Sequence, residues 1–194
     1  MTTGEPLLGG GALRELLEEL GRRCAAKGLA VEMYVVGGAA MAVAYDRERS
    51  TRDIDAVFEP KMAVYEEARL MAADLGLAPD WLNDGVKGLL PDFPDPQPRP
   101  ILAVDGMRVS VASPECLFAM KAAAARPGAD LEDLLALAKI LGVTSAERAN
   151  DIVSRFYRPA RLQVRTSLLL RSLFGAAPGP PGNVAGPAGP PLAD

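Results

Sequence analysis

The chain has 194 residues, 49% of them hydrophobic and 24% charged, with a formal net charge of −4. That suits one soluble domain, or one domain with a small helical appendage, and gives no global nucleic-acid signature. No histidine is present, which removes His triads, imidazole bases and His-ligated metals; the two cysteines, Cys24 and Cys116, lack zinc or redox spacing and read as reduced core thiols of a cytoplasmic protein.

In chain order, Met1–Gly10 reads as a loose arm, and Leu13, Leu16, Leu17, Leu20 and Cys24 recur at helical spacing until Gly28. Val31–Val36 reads as a strand, Gly37-Gly38 as a turn, Ala39–Tyr45 as a short helix, and Asp53–Phe58 as a second strand that Pro60 stops. Lys61–Leu75 is an amphipathic helix ended by Gly76. Five prolines between Asn83 and Pro100 predict an irregular loop. Ile101–Val104 and Met107–Ala112 flank Asp105-Gly106, a hairpin signal. Ser113-Pro114-Glu115 opens a helix to Ala125; Arg126-Pro127-Gly128 breaks it, and a helix over Asp130–Leu141 follows. Thr144 and Glu147 form a capping-box pattern for a helix to about Tyr157, and Leu162–Phe174 is the last helix. Beyond Gly175 the chain is nearly all Gly, Pro and Ala, the composition of a disordered tail. The N-terminus has no basic-then-apolar signal pattern, and no run reaches the ~18 apolar residues of a membrane span.

The chemistry concentrates in Val35-Val36-Gly37-Gly38 and Asp53-Ile54-Asp55. Alternation along a strand sends Asp53 and Asp55 to one face, roughly 6.5–7 Å apart along the backbone, and Ile54 into the core. Two acids on one face repel unless a cation or proton neutralises them, and carboxylate oxygens suit Mg²⁺ or Mn²⁺. Glycines allow close backbone approach, and the helix they open offers free N–H groups to a phosphate. Arg49 and Arg52 flank the acids as phosphate clamps or as plain surface arginines. Lys121 interrupts the apolar stretch Leu117–Ala125, either to reach a ligand or to snorkel. Asp130 and Asp133 share a helical face, and as a bare pattern they are a first-turn pair favouring the helix dipole. Trp81 is a base-stacking or a core residue. Six arginines between Thr144 and Phe174 form a basic stretch for RNA or an acidic partner, or the solvated faces of two helices. Leu137–Thr144 with the following helix has the look of a DNA-binding helix-turn-helix, although Glu147, Asn150 and Asp151 dilute its charge; a plain helical hairpin is the alternative.

Val36-Gly37-Gly38 followed by Asp53-Ile54-Asp55-Ala56 resembles the nucleotidyltransferase superfamily typified by DNA polymerase beta. Val109–Glu115, Lys121, Arg126, Asp130 and Asp133 are similar to the minimal bacterial members related to abortive-infection and toxin–antitoxin nucleotidyltransferases. The resemblance implies an α+β fold: a small mixed sheet with flanking helices over 11–113, and a helical subdomain over 114–174. It implies transfer of a nucleoside monophosphate from an NTP to a hydroxyl of RNA (tRNA) or protein, by a toxin with a cognate antitoxin. It makes Asp53 and Asp55 the Mg²⁺ ligands, Gly37 and Gly38 the phosphate turn, and Lys121, with Asp130 and Asp133, a nucleotide-binding group. A third acid is expected on the Met107–Ala112 strand, where Ser110 stands, and Asp105 is a weak substitute in the turn. That departure keeps open a non-catalytic nucleotide-binding protein or antitoxin, beside the DNA-binding reading.

Overall fold

The computed structural model describes residues 7–46, 48–124 and 130–175. The predicted break at Arg126-Pro127-Gly128, the helix end at Ala125 and the Gly/Pro/Ala tail beyond 175 lie outside the described residues.

The elements are β1 (Leu8–Gly9), α1 (Gly10–Ala26), β2 (Val31–Val35), α2 (Gly37–Ala40), β3 (Ser50–Thr51), β4 (Ile54–Glu59), α3 (Lys61–Leu75), β5 (Leu82–Asn83), β6 (Arg99–Val104), β7 (Met107–Val111), α4 (Pro114–Ala124), α5 (Leu131–Leu141), α6 (Ala146–Phe156) and α7 (Val164–Phe174). Five strands form one sheet in the order β5-β4-β2-β7-β6. β2 lies antiparallel to β4 and parallel to β7, β5 is parallel to β4, and β6 and β7 form the hairpin. The fold is therefore α+β with a mixed sheet, as the resemblance implied.

Alternation does the packing. β2 and β7 both run buried–exposed–buried, which sends Val31, Met33 and Val35 and, beside them, Met107, Val109 and Val111 into one core. α1 buries Leu13, Leu17, Leu20, Gly21 and Cys24, at i, i+4, i+7, i+8 and i+11. Gly21 is part of that stripe because a side chain there would lie 2.6 Å from Val104 Cγ2. The hydrophobic cluster continues without a gap into α4–α7 through Leu117, Phe118, Leu134, Ile152, Phe156 and Leu170. Trp81 is core: 1% exposed, its indole N–H donates to Ala68 O at 3.0 Å.

Several predicted boundaries move, each for a local reason. Leu8 and Gly9 are not loose, because they pair with Thr51 and Ser50 as a two-stranded ribbon. The helix after the Gly-Gly turn starts at Gly37 itself and widens into a π-type turn over Met41–Tyr45, where Asp46 N–H donates to Met41 O. The proline-rich loop contains the last residue of β5, a 3₁₀ turn over Gly85–Leu89 and the start of β6, which tolerates Pro100 because it is the edge strand and carries a register shift there. The cap of α6 is Ser145, whose Oγ accepts from Arg148 N–H at 3.2 Å, one residue after the predicted Thr144.

The basic C-terminal stretch is largely spent on structure. Arg155 pairs with Glu115 at 2.9 Å. Arg161 binds Asp92 at 3.1 Å and the carbonyls of Gly88 and Leu90, and Arg158 N–H donates to Asp92, so these arginines fasten the proline-rich loop to the helices. Arg165 donates to Ala124 O. The cysteines are inert: both are buried and unpaired, and burial pushes the Cys116 thiol up to about 12. Among the described residues no helix is long and apolar enough to cross a membrane.

Candidate active site

The two motifs converge because β2 and β4 are neighbours. The turn leaving β2 at Gly37 therefore meets the residues entering β4. Gly37 has φ +63°, and a Cβ there would lie 3.0 Å from Asp55 Oδ2 and in contact with its Cβ and Cγ. Only glycine fits both the left-handed backbone and the carboxylate pressed against it. Gly38 is confined differently, since its Cβ would lie 3.0 Å from Thr51 Oγ1. Replacing Gly37 by Ala is expected to cost about 1–2 kcal/mol in backbone strain and to displace Asp55. Thermal melting should show a fall of a few degrees, and nucleotide binding should weaken by far more than that loss of stability explains.

Asp55 lies on β4, whereas Asp53 sits one residue ahead of its first position. Both are partly buried. Asp53 Oδ2 accepts from Asn83 Nδ2 at 2.9 Å, and Thr51 Oγ1 lies 3.5 Å from its Oδ1. Asn83 had no signal in the sequence beyond being a polar residue near the start of the proline-rich loop. Its neighbour Asp84 is held between Lys61 at 2.6 Å and Lys87 at 2.7 Å and accepts from the Tyr65 hydroxyl at 2.6 Å.

These lysines hold the Asp84 carboxyl well below its ordinary 3.8. A carboxylate depressed in the folded state stabilises above its unfolded value and loses that contribution as pH falls through the folded one. Melting temperature should therefore drop more steeply below pH ~4 in the wild type than in Asp84→Asn, the two curves converging at the lowest pH.

Asp55, Gly37 and Lys121 line one cleft of about 180 Å³, whose apolar wall includes Val86, Leu117 and Met120. That is below the ~300 Å³ at which small-molecule pockets usually begin, so a nucleotide would seat only part of itself there. Lys121 does not snorkel. It is 7% exposed, and its Nζ lies 3.1 Å from Asp130 Oδ1 and 2.6 Å from Asp133 Oδ2. Asp130 caps α5 by position without a side-chain cap bond, so the acid pair holds the lysine rather than serving the helix terminus alone. Arg49 completes the group: its Nε lies 3.0 Å from Asp133 Oδ1. The predicted phosphate clamp is thus turned toward a buried acid, while Arg52 is exposed.

Ser110 is not level with the acids. It shares a row across the sheet with Tyr34 and Val57. The row of Asp55 instead passes through Val36, whose N–H donates to Asp55 O, and reaches Ala112, whose N–H donates to Val35 O. Asp105 stays in the β6–β7 turn. Among the described residues no three His, Cys, Asp or Glu side chains converge as metal ligands.

A mixed sheet with a glycine turn pressed against an Asp-x-Asp strand, and a buried lysine lining the same cleft, defines a nucleotidyltransferase-type protein. Residues 11–158 match the family described as nucleotidyltransferase of unknown function (DUF6036), and the chain belongs to that family. No curated protein matches the chain. Among solved structures, an antigenic nucleotidyltransferase-like protein from Paracoccidioides brasiliensis is similar at 14% identity and a TM-score of 0.45, over 70% of this chain and 79% of that one.

Proposed function

We propose that the chain transfers a nucleoside monophosphate from an NTP to a hydroxyl of RNA, such as tRNA, or of protein. The observation that carries this reading is the convergence of Gly37, Asp55 and Lys121 on one cleft. Asp53 and Asp55 fit Mg²⁺ or Mn²⁺, being oxygen-only donors, two residues apart and partly exposed; Mg²⁺ is commonly held by one or two carboxylates plus substrate phosphates. When bound, such an ion neutralises charge developing around the α-phosphorus. The Gly37-Gly38 turn lets the triphosphate approach the backbone, and Lys121, which lines the same cleft while its ammonium binds Asp130 and Asp133, is the cation that an entering phosphate would draw on. The acceptor oxygen forms a bond to the α-phosphorus, the bond to the β-phosphate bridging oxygen breaks, pyrophosphate leaves with that electron pair, and the hydroxyl proton passes to solvent.

By the resemblance of its motifs, the protein acts as the toxin half of a toxin–antitoxin pair. A second reading, a nucleotide-binding partner or antitoxin without turnover, is favoured by the lack of a third acid beside Asp53 and Asp55 among the described residues. The DNA-binding reading is disfavoured: α6 buries Ala149, Ile152, Val153 and Phe156, and Arg155 on its exposed side is paired with Glu115.

The test is label transfer. Purified protein, Mg²⁺ and each α-³²P-labelled NTP are incubated with total bacterial RNA, and both RNA and protein are examined for label. Label that disappears in the Asp53→Asn/Asp55→Asn variant supports transfer and names the acceptor class. Intact Mg²⁺–NTP binding with no label would support the second reading, and absence of both would sink the proposal.

A further inference from the structure

The sequence directs attention to Met107–Ala112 for a third member of the acid site. The neighbour on the other side of β4 is more informative. β5 pairs in parallel with β4, with Asn83 directly opposite Asp55, so the two side chains leave the same face of the sheet. Asn83 Nδ2 then reaches Asp53 Oδ2 at 2.9 Å. Its amide cannot serve equally well reversed, because Oδ1 already accepts from Gly85 N–H at 3.0 Å. Asn83 is itself clamped. Ile54 N–H donates to Trp81 O at 2.6 Å, Leu82 is 2% exposed, and Asp84 is fixed by Tyr65, Lys61 and Lys87. Asn83 is therefore a donor of fixed direction on a braced strand.

From this geometry we infer that Asn83 is a positioning residue: it binds Oδ2 of Asp53 and so sets the orientation of the carboxylate, leaving Oδ1, whose nearest hydroxyl is Thr51 Oγ1 at 3.5 Å, as the oxygen that would hold a divalent cation. This rests on Asp53 and Asp55 being the cation ligands of the proposed transferase. Asn83 acts through Asp53 and not as a ligand, since its amide presents Nδ2 to Asp53 and turns Oδ1 to the Gly85 N–H. Partners that orient a ligating carboxylate typically contribute 10–100-fold to metal affinity.

The test is Mn²⁺ binding by the full chain, followed by the electron-paramagnetic signal of free Mn²⁺, with melting temperature read with and without the ion. Asn83→Ala is expected to weaken Mn²⁺ binding at least about tenfold. Asn83→Asp keeps the acceptor for Gly85 but sets a second carboxylate against Asp53. It should melt lower than wild type without cation and gain more from Mn²⁺ than wild type does. Asn83→Ala binding Mn²⁺ within twofold of wild type, while Asp53→Asn loses it, would overturn the positioning role. So would Asn83→Asp matching wild type in both melting temperature and affinity, which is the outcome if residue 83 only caps the Gly85 turn. If Asp53→Asn and Asp55→Asn both bind Mn²⁺ normally, the failure lies instead with the assignment of the cation site.

Discussion

Asp55→Asn is expected to lower the rate of nucleotidyl transfer on the order of a thousandfold, equivalent to ~4 kcal/mol of transition-state stabilisation, while leaving the fold intact. The amide matches the carboxylate in size and shape, so it can occupy the space beside Gly37 that excludes a Cβ. What it lacks is charge. A neutral oxygen is a poor donor to Mg²⁺ and does little for the neutralisation that phosphoryl chemistry requires. Single-turnover label transfer checks the rate and circular dichroism checks the fold. A loss under tenfold with normal folding would mean that Asp55 contributes shape to the Gly37 turn rather than a ligand to the reaction.

Removing Lys121 should be the most destabilising single change at the site. Its ammonium sits among Asp130 and Asp133, which are 5% and 2% exposed, and truncation to Ala leaves buried acids undercompensated. Breaking a buried pair from one side costs about 3–5 kcal/mol. Arg49 still binds Asp133, which places the cost at the lower end, about 3 kcal/mol, or a melting temperature lower by on the order of 10 °C for a chain of this size. Lys121→Met combined with Asp130→Asn should recover much of that stability, because Asp133 keeps Arg49 as its counter-ion and the buried charge that lost its partner is gone, yet it should not recover nucleotide transfer. Thermal melts of the two variants beside label transfer separate the structural from the functional share of this lysine. Label transfer that returns along with stability would show that Lys121 acts only through folding, whereas equal activity loss in both variants would show a direct role.

Much of this site was legible in the linear chain because its signals are local. A Gly-Gly pair ending a strand and two acids flanking one apolar residue carry their geometry in their spacing, and Gly37 and Asp55 meet as that spacing implies. Lys121, Asp130 and Asp133 were legible as odd residues in apolar or capping contexts, but their mutual bonds were not, because periodicity does not say which helix faces which. Arg49 was legible as a cation near the acids and misplaced in its partner: Asp133 lies 84 positions away, and a buried carboxylate competes for a guanidinium more strongly than solvent does. Ser110 drew attention by strand parity, and only the pairing of β2 with both β4 and β7 shows it level with Val57 rather than Asp55.

By itself, then, the sequence determined the main helices and strands, the apolar stripe of α1 and the two acid-and-glycine motifs, since each depends on contacts within a few residues; the α+β class came through the resemblance those motifs carry. The tertiary structure alone decided that Leu8–Gly9 zips onto Ser50–Thr51, that the C-terminal arginines brace the proline-rich loop, and that Asn83 stands beside Asp53. Those outcomes rest on strand order and on pairings between residues tens of positions apart. Such pairings are chosen by the whole core at once, as each strand finds the one register that buries its apolar face, and no window of neighbouring residues contains that information.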